Sequence, residues 1–81
     1  MRRIDMDTIY QMLEELRPEY NFRESGDFIE EGLLDSFDII SLIDMISENF
    51  GVSIDGLDIV PENFCSAQAI CDVIKKNGGN I

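Results

Sequence analysis

The stretch from Asp35 to Gly51 constrains the fold most, because a helix start, a helical apolar pattern and a helix stop follow one another in it. Asp35, with Asp38 three positions later, is typical of a helix N-terminus, where carboxylates accept free backbone N–H groups. At about 100° per residue, five apolar side chains share one core-facing arc. Gly51 suits the left-handed position that commonly ends a helix. The stretch therefore predicts a helix over 36–50, with a core face formed by Ile39, Leu42, Ile43, Ile46 and Phe50.

Two further segments also have helical periodicity. The first begins at Asp5 or Asp7, repeats apolar residues at i, i+3, i+4 and i+7 as far as Leu16, and is closed by Arg17 and Pro18. The last follows the capping residue Ser66 and runs to Lys76. The apolar stripes of these two helices are Ile9, Met12, Leu13 and Leu16 in one, and Ala67, Ile70, Cys71 and Ile74 in the other.

The connections between these helices lack helical periodicity. Residues 18–35 form a connection longer than is usual in a compact domain, but apolar side chains spread along it predict an ordered loop that lies against the core. Residues 52–60 alternate briefly, yet a lone strand without a partner is not stable, so we interpret them as a loop. A short helical turn is expected near Pro61 to Phe64, since proline suits a first helical position.

These elements predict an all-α fold: a small bundle of three main helices plus one short helix, in effect a four-helix bundle with a long ordered loop between helices one and two. With 81 residues, the chain is expected to form one domain over residues 1–77 and a frayed tail over 78–81. Cys65 and Cys71 lie six residues apart on one predicted helical segment, about 9 Å along its axis, which is too far for a disulfide. We expect both to be small buried or half-buried residues.

The charge of the chain excludes some classes of partner. Seventeen acidic residues against six basic ones give a net charge of -11, which repels nucleic acid and anionic lipid and favours basic protein surfaces. No apolar run is long enough for a membrane span, and no signal peptide is recognisable at Met1 to Asp5. We therefore expect a cytoplasmic, monomeric protein with no nucleic acid ligand and no membrane insertion.

The residue types present argue against an enzyme. There is no histidine, and no basic residue lies between Asp35 and Phe50, so nothing nearby in sequence can activate Ser36 as a nucleophile. Paired carboxylates are numerous in so acidic a chain and indicate a solvated surface, and phosphate-binding glycine motifs are absent. A third possible function is a small metal-binding sensor, but only the acidity of the chain favours it.

Ser36 is the candidate functional residue. If Asp35 caps the helix, Ser36 occupies the first helical position with its hydroxyl free, and a phosphate ester there would lie beside backbone donors that favour anions. The alternative is that Ser36 is itself the cap and has no further role.

The order of segments resembles the acyl and peptidyl carrier protein family. The residues that carry the resemblance are 27–38, which include Asp35-Ser36, then Phe50-Gly51-Val52, and Phe64-Cys65-Ser66 before the last helix. The resemblance covers nearly the whole chain. It implies that Ser36 is esterified by 4'-phosphopantetheine, which a phosphopantetheinyl transferase takes from coenzyme A, and that the terminal thiol of this arm carries an acyl or aminoacyl thioester.

The resemblance also implies partners for the chain. These are the transferase, an acyl- or aminoacyl-adenylating ligase, and a downstream acyltransferase or synthase. Asp35, Phe37 and Asp38 match motif positions that partner enzymes recognise. The four acids Asp35, Asp38, Asp44 and Glu48 would form a negative face on the second helix that attracts basic partners. Phe37 and Met45 would supply apolar contact. The alternative function is an unmodified acidic module that docks a basic partner through its second helix.

The residues around Ser36 also bear on the kind of carrier. Fatty-acid carriers usually have leucine where this chain has Phe37, and more glutamate and methionine where it has Ser41, Asp44 and Ser47. The segment 31–36 is more similar to D-alanyl carriers and to stand-alone carriers that work with adenylating ligases.

Overall fold

The structure, a computed structural model, describes residues 4–78. In that range it contains three α-helices and no β-strand. They are α1 (Met6–Leu16), α2 (Ser36–Phe50) and α3 (Ala67–Lys76). The three helices predicted from the apolar patterns are thereby confirmed.

The helix ends form where a side chain or a glycine satisfies the local backbone. The side chains of Asp5, Asp35 and Ser66 precede the three helices, and each accepts a hydrogen bond from the backbone N–H three residues further on. At the other end of α2, Gly51 adopts a φ of 68°. This left-handed conformation disfavours any residue with a Cβ atom, so glycine fixes where α2 stops.

The hydrophobic core lies where α1 packs against both α2 and α3. Each helix contributes the apolar face that its sequence pattern predicts, and the connecting segments add further side chains. Burial of these apolar surfaces is the main favourable term in folding. The largest fully buried side chains are Phe22, Phe28, Phe64, Ile9, Met12, Leu13, Leu42, Ile46, Ile70 and Ile74.

The long connection between α1 and α2 is ordered, as its apolar residues predict. The rings of Phe22 and Phe28 are both buried and meet edge to face, with centroids 5.2 Å apart. The Glu31 carboxylate accepts hydrogen bonds from the backbone N–H groups of Gly26 and Asp27, and these bonds lower the pKa of Glu31. Apolar anchors and a local carboxylate therefore hold this connection against the core.

The number of short helices differs from the prediction of one. Residues 4–78 contain three single-turn 3-10 helices: Phe22–Glu24, Gly56–Asp58 and Pro61–Asn63. The turn at Pro61–Asn63 corresponds to the predicted one. The turn before it forms because the Asp55 side chain accepts a hydrogen bond from the Leu57 N–H, a local capping bond in a segment without helical periodicity.

The remaining expectations about the chain concern its end and its cysteines. The N–H of Gly78, where the predicted tail begins, donates to the carbonyl oxygen of Lys75, and residues 79–81 lie outside the described residues. Cys71 is buried and Cys65 half-buried, both as free thiols, and burial raises the pKa of Cys71. None of the helices in the described range is long and apolar enough to cross a membrane.

Candidate functional site

Ser36 is the first residue of α2, and its side chain is exposed. The helix start is held by a reciprocal pair of bonds just around it: the Asp35 carboxylate accepts from the Asp38 N–H at 2.9 Å, and the Asp38 carboxylate accepts from the Asp35 N–H at 3.2 Å. Asp35 is thus the capping residue, and the alternative that Ser36 caps the helix is wrong. Within the described range, the Ser36 hydroxyl has no hydrogen-bond partner.

The capping bond keeps Asp35 ionised. The Asp38 N–H stabilises the charged form of the carboxylate and lowers the pKa of Asp35, and the nearby Arg17 guanidinium acts in the same direction. Asp35 itself is exposed. A fixed negative charge therefore stands directly beside the free Ser36 hydroxyl.

Asp38 does not lie on an exposed negative face, and the prediction that it would is wrong. Its side chain is buried, with the residue only 4% exposed, and it pairs with the guanidinium of Arg17. One carboxylate oxygen, Oδ1, accepts from Arg17 Nη2 at 2.9 Å and from Nε at 3.0 Å. Because both donors lie close to this oxygen, the pKa of Arg17 is raised. The charge of Asp38 is thus balanced by Arg17 within the chain and is not available to a partner.

A small groove adjoins Ser36. Its volume is about 190 Å³, and one side is the first turns of α2 while the other is the loop before α3. Apart from the serine, the lining side chains are apolar. The groove, called here the Ser36 groove, is lined by Ser36, Ile39, Ile40, Ile59, Val60 and Pro61.

Exposed apolar side chains occur on both elements that border the Ser36 groove. Phe37 and Ile40 on α2 are 73% and 61% exposed, and Leu57 and Ile59 on the loop are 88% and 39% exposed. These four residues are called the apolar set. Phe37 was expected to supply apolar contact to a partner, and its exposure is consistent with that. Leu57 and Ile59 were missed, because an isolated apolar residue in an irregular loop has no periodic signal, and Ile40 was not among the residues expected to contact a partner.

The other residues proposed for partner recognition take different positions. Asp44 and Glu48 are exposed on α2, as expected. Met45 is half-buried and packs against the core, so only part of its side chain is available to a partner. The exposed acids and the two α2 members of the apolar set, Phe37 and Ile40, thus place negative charge and apolar area together on α2.

The loop that carries half of the apolar set is tied to the end of α3. The Asp58 carboxylate accepts from Lys76 Nζ at 2.7 Å and from the Asn77 side-chain amide at 3.1 Å. The Asn77 side-chain oxygen in turn accepts from the Asp55 N–H at 2.9 Å. The contact between Lys76 and Asp58 lowers the pKa of Asp58, with help from Asn77, and raises that of Lys76. The loop is therefore fixed opposite Ser36 by charge-assisted hydrogen bonds.

Across residues 4–78, no group of three or more cysteine, aspartate or glutamate side chains could hold a metal ion. Comparisons with protein-family models, with curated proteins and with solved structures gave no match.

Proposed function

We propose that the protein is a carrier, in which 4'-phosphopantetheine attached to Ser36 bears an acyl or aminoacyl group as a thioester. In this function the chain is a substrate and a shuttle for other enzymes and not a catalyst. The proposed setting is the cytoplasm, where the partners would be a phosphopantetheinyl transferase, an acyl- or aminoacyl-adenylating ligase, and an acyltransferase or synthase that receives the cargo.

The observation that carries the proposal is the free hydroxyl of Ser36 at a helix start that another residue caps. Because Asp35 supplies the capping bond, the serine oxygen is not needed for the fold. It is also exposed, so an enzyme can reach it. A residue that is accessible, rigidly placed and structurally dispensable suits covalent modification.

The surroundings of Ser36 fit the arm. The positive end of the α2 dipole favours a phosphodiester there, and the apolar walls of the Ser36 groove could contact the aliphatic part of the arm or of its cargo. When attached, the arm would supply a thiol that accepts the acyl group. The chain's own residues position the attachment oxygen and present a surface to the partners.

That surface combines exposed charge with exposed apolar area. Asp35, Asp44 and Glu48 would attract a basic partner and set its rate of association, whereas Phe37 would contribute most of the contact energy through burial. Asp38 is left out of this surface because Arg17 already neutralises it. The similarity of residues 31–36 to D-alanyl and ligase-associated carriers favours a small acyl or aminoacyl cargo over the growing chain of fatty-acid synthesis.

The decisive experiment is incubation with coenzyme A and a promiscuous phosphopantetheinyl transferase, followed by intact-protein mass spectrometry. The Ser36 oxygen would form a phosphodiester with the arm, the pyrophosphate bond of coenzyme A would break, and its nucleotide part would leave. Wild type should gain the mass of one phosphopantetheine, and Ser36→Ala should gain none. Ser53→Ala, a change at another exposed serine, is the matched control and should be modified like wild type. Absence of a mass gain in wild type, or its persistence in Ser36→Ala, contradicts the proposal.

A second candidate is an unmodified acidic module that docks a basic partner through α2. The exposure of Phe37 beside the acids of this helix also favours it. The two functions separate cleanly in cells that depend on the protein: the docking module should tolerate Ser36→Ala and fail on charge reversal at Asp44, whereas the carrier should fail on Ser36→Ala.

A further inference from the structure

Arg17 connects the end of α1 to the start of α2. It is the C-cap residue of α1, and its own backbone N–H donates to the Leu13 carbonyl oxygen. Its guanidinium reaches a carboxylate 21 residues further along the chain, that of Asp38. The arginine is therefore fixed at both ends, by the helix behind it and by the buried acid in front.

The Asp38 carboxylate uses its two oxygens for two different tasks. Oδ1 receives both donors of Arg17, while Oδ2 accepts the N–H of Asp35, the residue directly before the serine. The carboxylate thus acts as a bridge between a side chain of α1 and the backbone that sets the direction of Ser36. Arg17 appears neither in the Ser36 groove nor among the residues of the apolar set.

Loss of the arginine would change this bridge in a specific way. A buried carboxylate without its cation is strongly unfavourable, so Asp38 would turn towards water. In doing so it would give up the Asp35 N–H, and one half of the reciprocal cap would be lost. The first turn of α2 would then sample several positions, and the Ser36 oxygen with it.

We propose that Arg17 is a positioning residue for the modification of Ser36, acting through Asp38 to hold the serine oxygen in one place for the incoming phosphoryl group. This inference rests on the proposed carrier function. Since group transfer depends steeply on the placement of the attacking atom, the effect should fall on the rate of transfer more than on binding of the transferase.

The test is the steady-state rate of arm transfer with the chain as the varied substrate. Arg17→Gln should lower kcat by about tenfold and leave KM within about twofold, while Arg17→Lys should recover part of the loss. Arg23→Gln is the matched control, because Arg23 is also an arginine paired with acids, Asp7 and Glu14, which are not among the residues around Ser36. It should react like wild type. Wild-type kcat in Arg17→Gln, or a change confined to KM, overturns the proposal.

A second comparison covers the case in which Arg17→Gln folds poorly. With Asp38→Asn already present, no buried carboxylate remains beside Arg17, so adding Arg17→Gln should change kcat by less than about twofold. An equally large effect in both backgrounds would show that Arg17 acts by another route.

Amide hydrogen exchange at Asp35, measured without any transferase, should be faster in Arg17→Gln than in Arg23→Gln. If wild type accepts no arm, the carrier function fails, and the positioning role fails with it. If the rate of amide hydrogen exchange at Asp35 is the same in Arg17→Gln as in wild type, only the bridge through Asp38 is rejected.

Discussion

The backbone N–H of Phe28 donates to the carbonyl oxygen of Cys65 at 2.8 Å, and this bond joins the connection after α1 to the turn before α3. The carbonyl oxygen of Phe28 in turn accepts from the N–H groups of Leu33 and Leu34. With its ring in the core, Phe28 anchors a connection that, within the described residues, has only the single-turn 3-10 helix Phe22–Glu24 as regular structure.

Replacing this anchor should be costly. Phe28→Ala keeps the backbone bonds but removes a fully buried ring, so we expect a loss of about 3–5 kcal/mol in the free energy of unfolding, measured by urea denaturation. Tyr20→Ala, in the same connection but at a residue that is 37% exposed, is the control and should lose clearly less. Equal losses would mean that the connection does not depend on its buried ring.

The two glycines Gly51 and Gly56 provide a paired test of the stop signal of α2. Gly51→Ala should destabilise the chain by about 1–2 kcal/mol, because its φ of 68° places a Cβ in the unfavourable left-handed region. Gly56 has no positive φ, and a Cβ there meets nothing within 4 Å. Gly56→Ala should therefore leave the denaturation midpoint unchanged or raise it slightly. A harmless Gly51→Ala would contradict the assigned end of α2.

The hydrogen bonds that Lys76 and Asn77 donate to the Asp58 carboxylate, called here the clamp, predict that the stability of the fold depends on pH. The folded pKa of Asp58 lies below its ordinary value of 3.8, so the carboxylate stabilises the fold fully above that value, and the contribution is lost as the pH falls through the folded pKa. Asp58→Asn should lower the denaturation midpoint near neutral pH. Its difference from wild type should shrink as the pH falls below about 4.

The same titration with Asp44→Asn serves as the reference, because Asp44 is exposed. Its difference from wild type should be small at every pH. Comparing variants rather than absolute stabilities removes the effect of the many other carboxyl groups, which titrate in all three proteins. A difference for Asp58→Asn that stays constant down to acidic pH would argue against the clamp.

The apolar set should affect binding of partners and not folding. Phe37→Ala removes the ring of a residue that is 73% exposed, so the free energy of unfolding should change by less than about 0.5 kcal/mol. In the arm-transfer assay the KM should rise by about tenfold if the ring is buried at the centre of the interface. Met6→Ala, at an exposed apolar residue on α1, should leave KM unchanged. An unchanged KM in Phe37→Ala would remove this residue from the partner surface.

The sequence predicts the helices of this chain well because their signals are local. The caps at Asp35 and Ser66 and the stop at Gly51 need only a few neighbouring residues to form. The burial of Asp38 could not be predicted, since its counter-charge comes from Arg17, 21 residues away. Only part of the surface around Ser36 was predicted. Phe37 lies in a helix that the sequence pattern indicates, whereas Leu57 lies in an irregular loop, in a turn that is held by a hydrogen bond from its N–H to Asp55.

The hydrogen bonds that Asn77 accepts from Asp55 and donates to Asp58 give the C-terminal end of α3 a role in building the wall that faces Ser36. A recombinant chain trimmed after Ile74 would keep the core residues of α3 and lose both Lys76 and Asn77, so it could remain folded while the opposite wall came loose. A tag or fused protein is therefore best joined beyond Gly78 through a flexible spacer, where it leaves the hydrogen bonds of Lys76 and Asn77 intact.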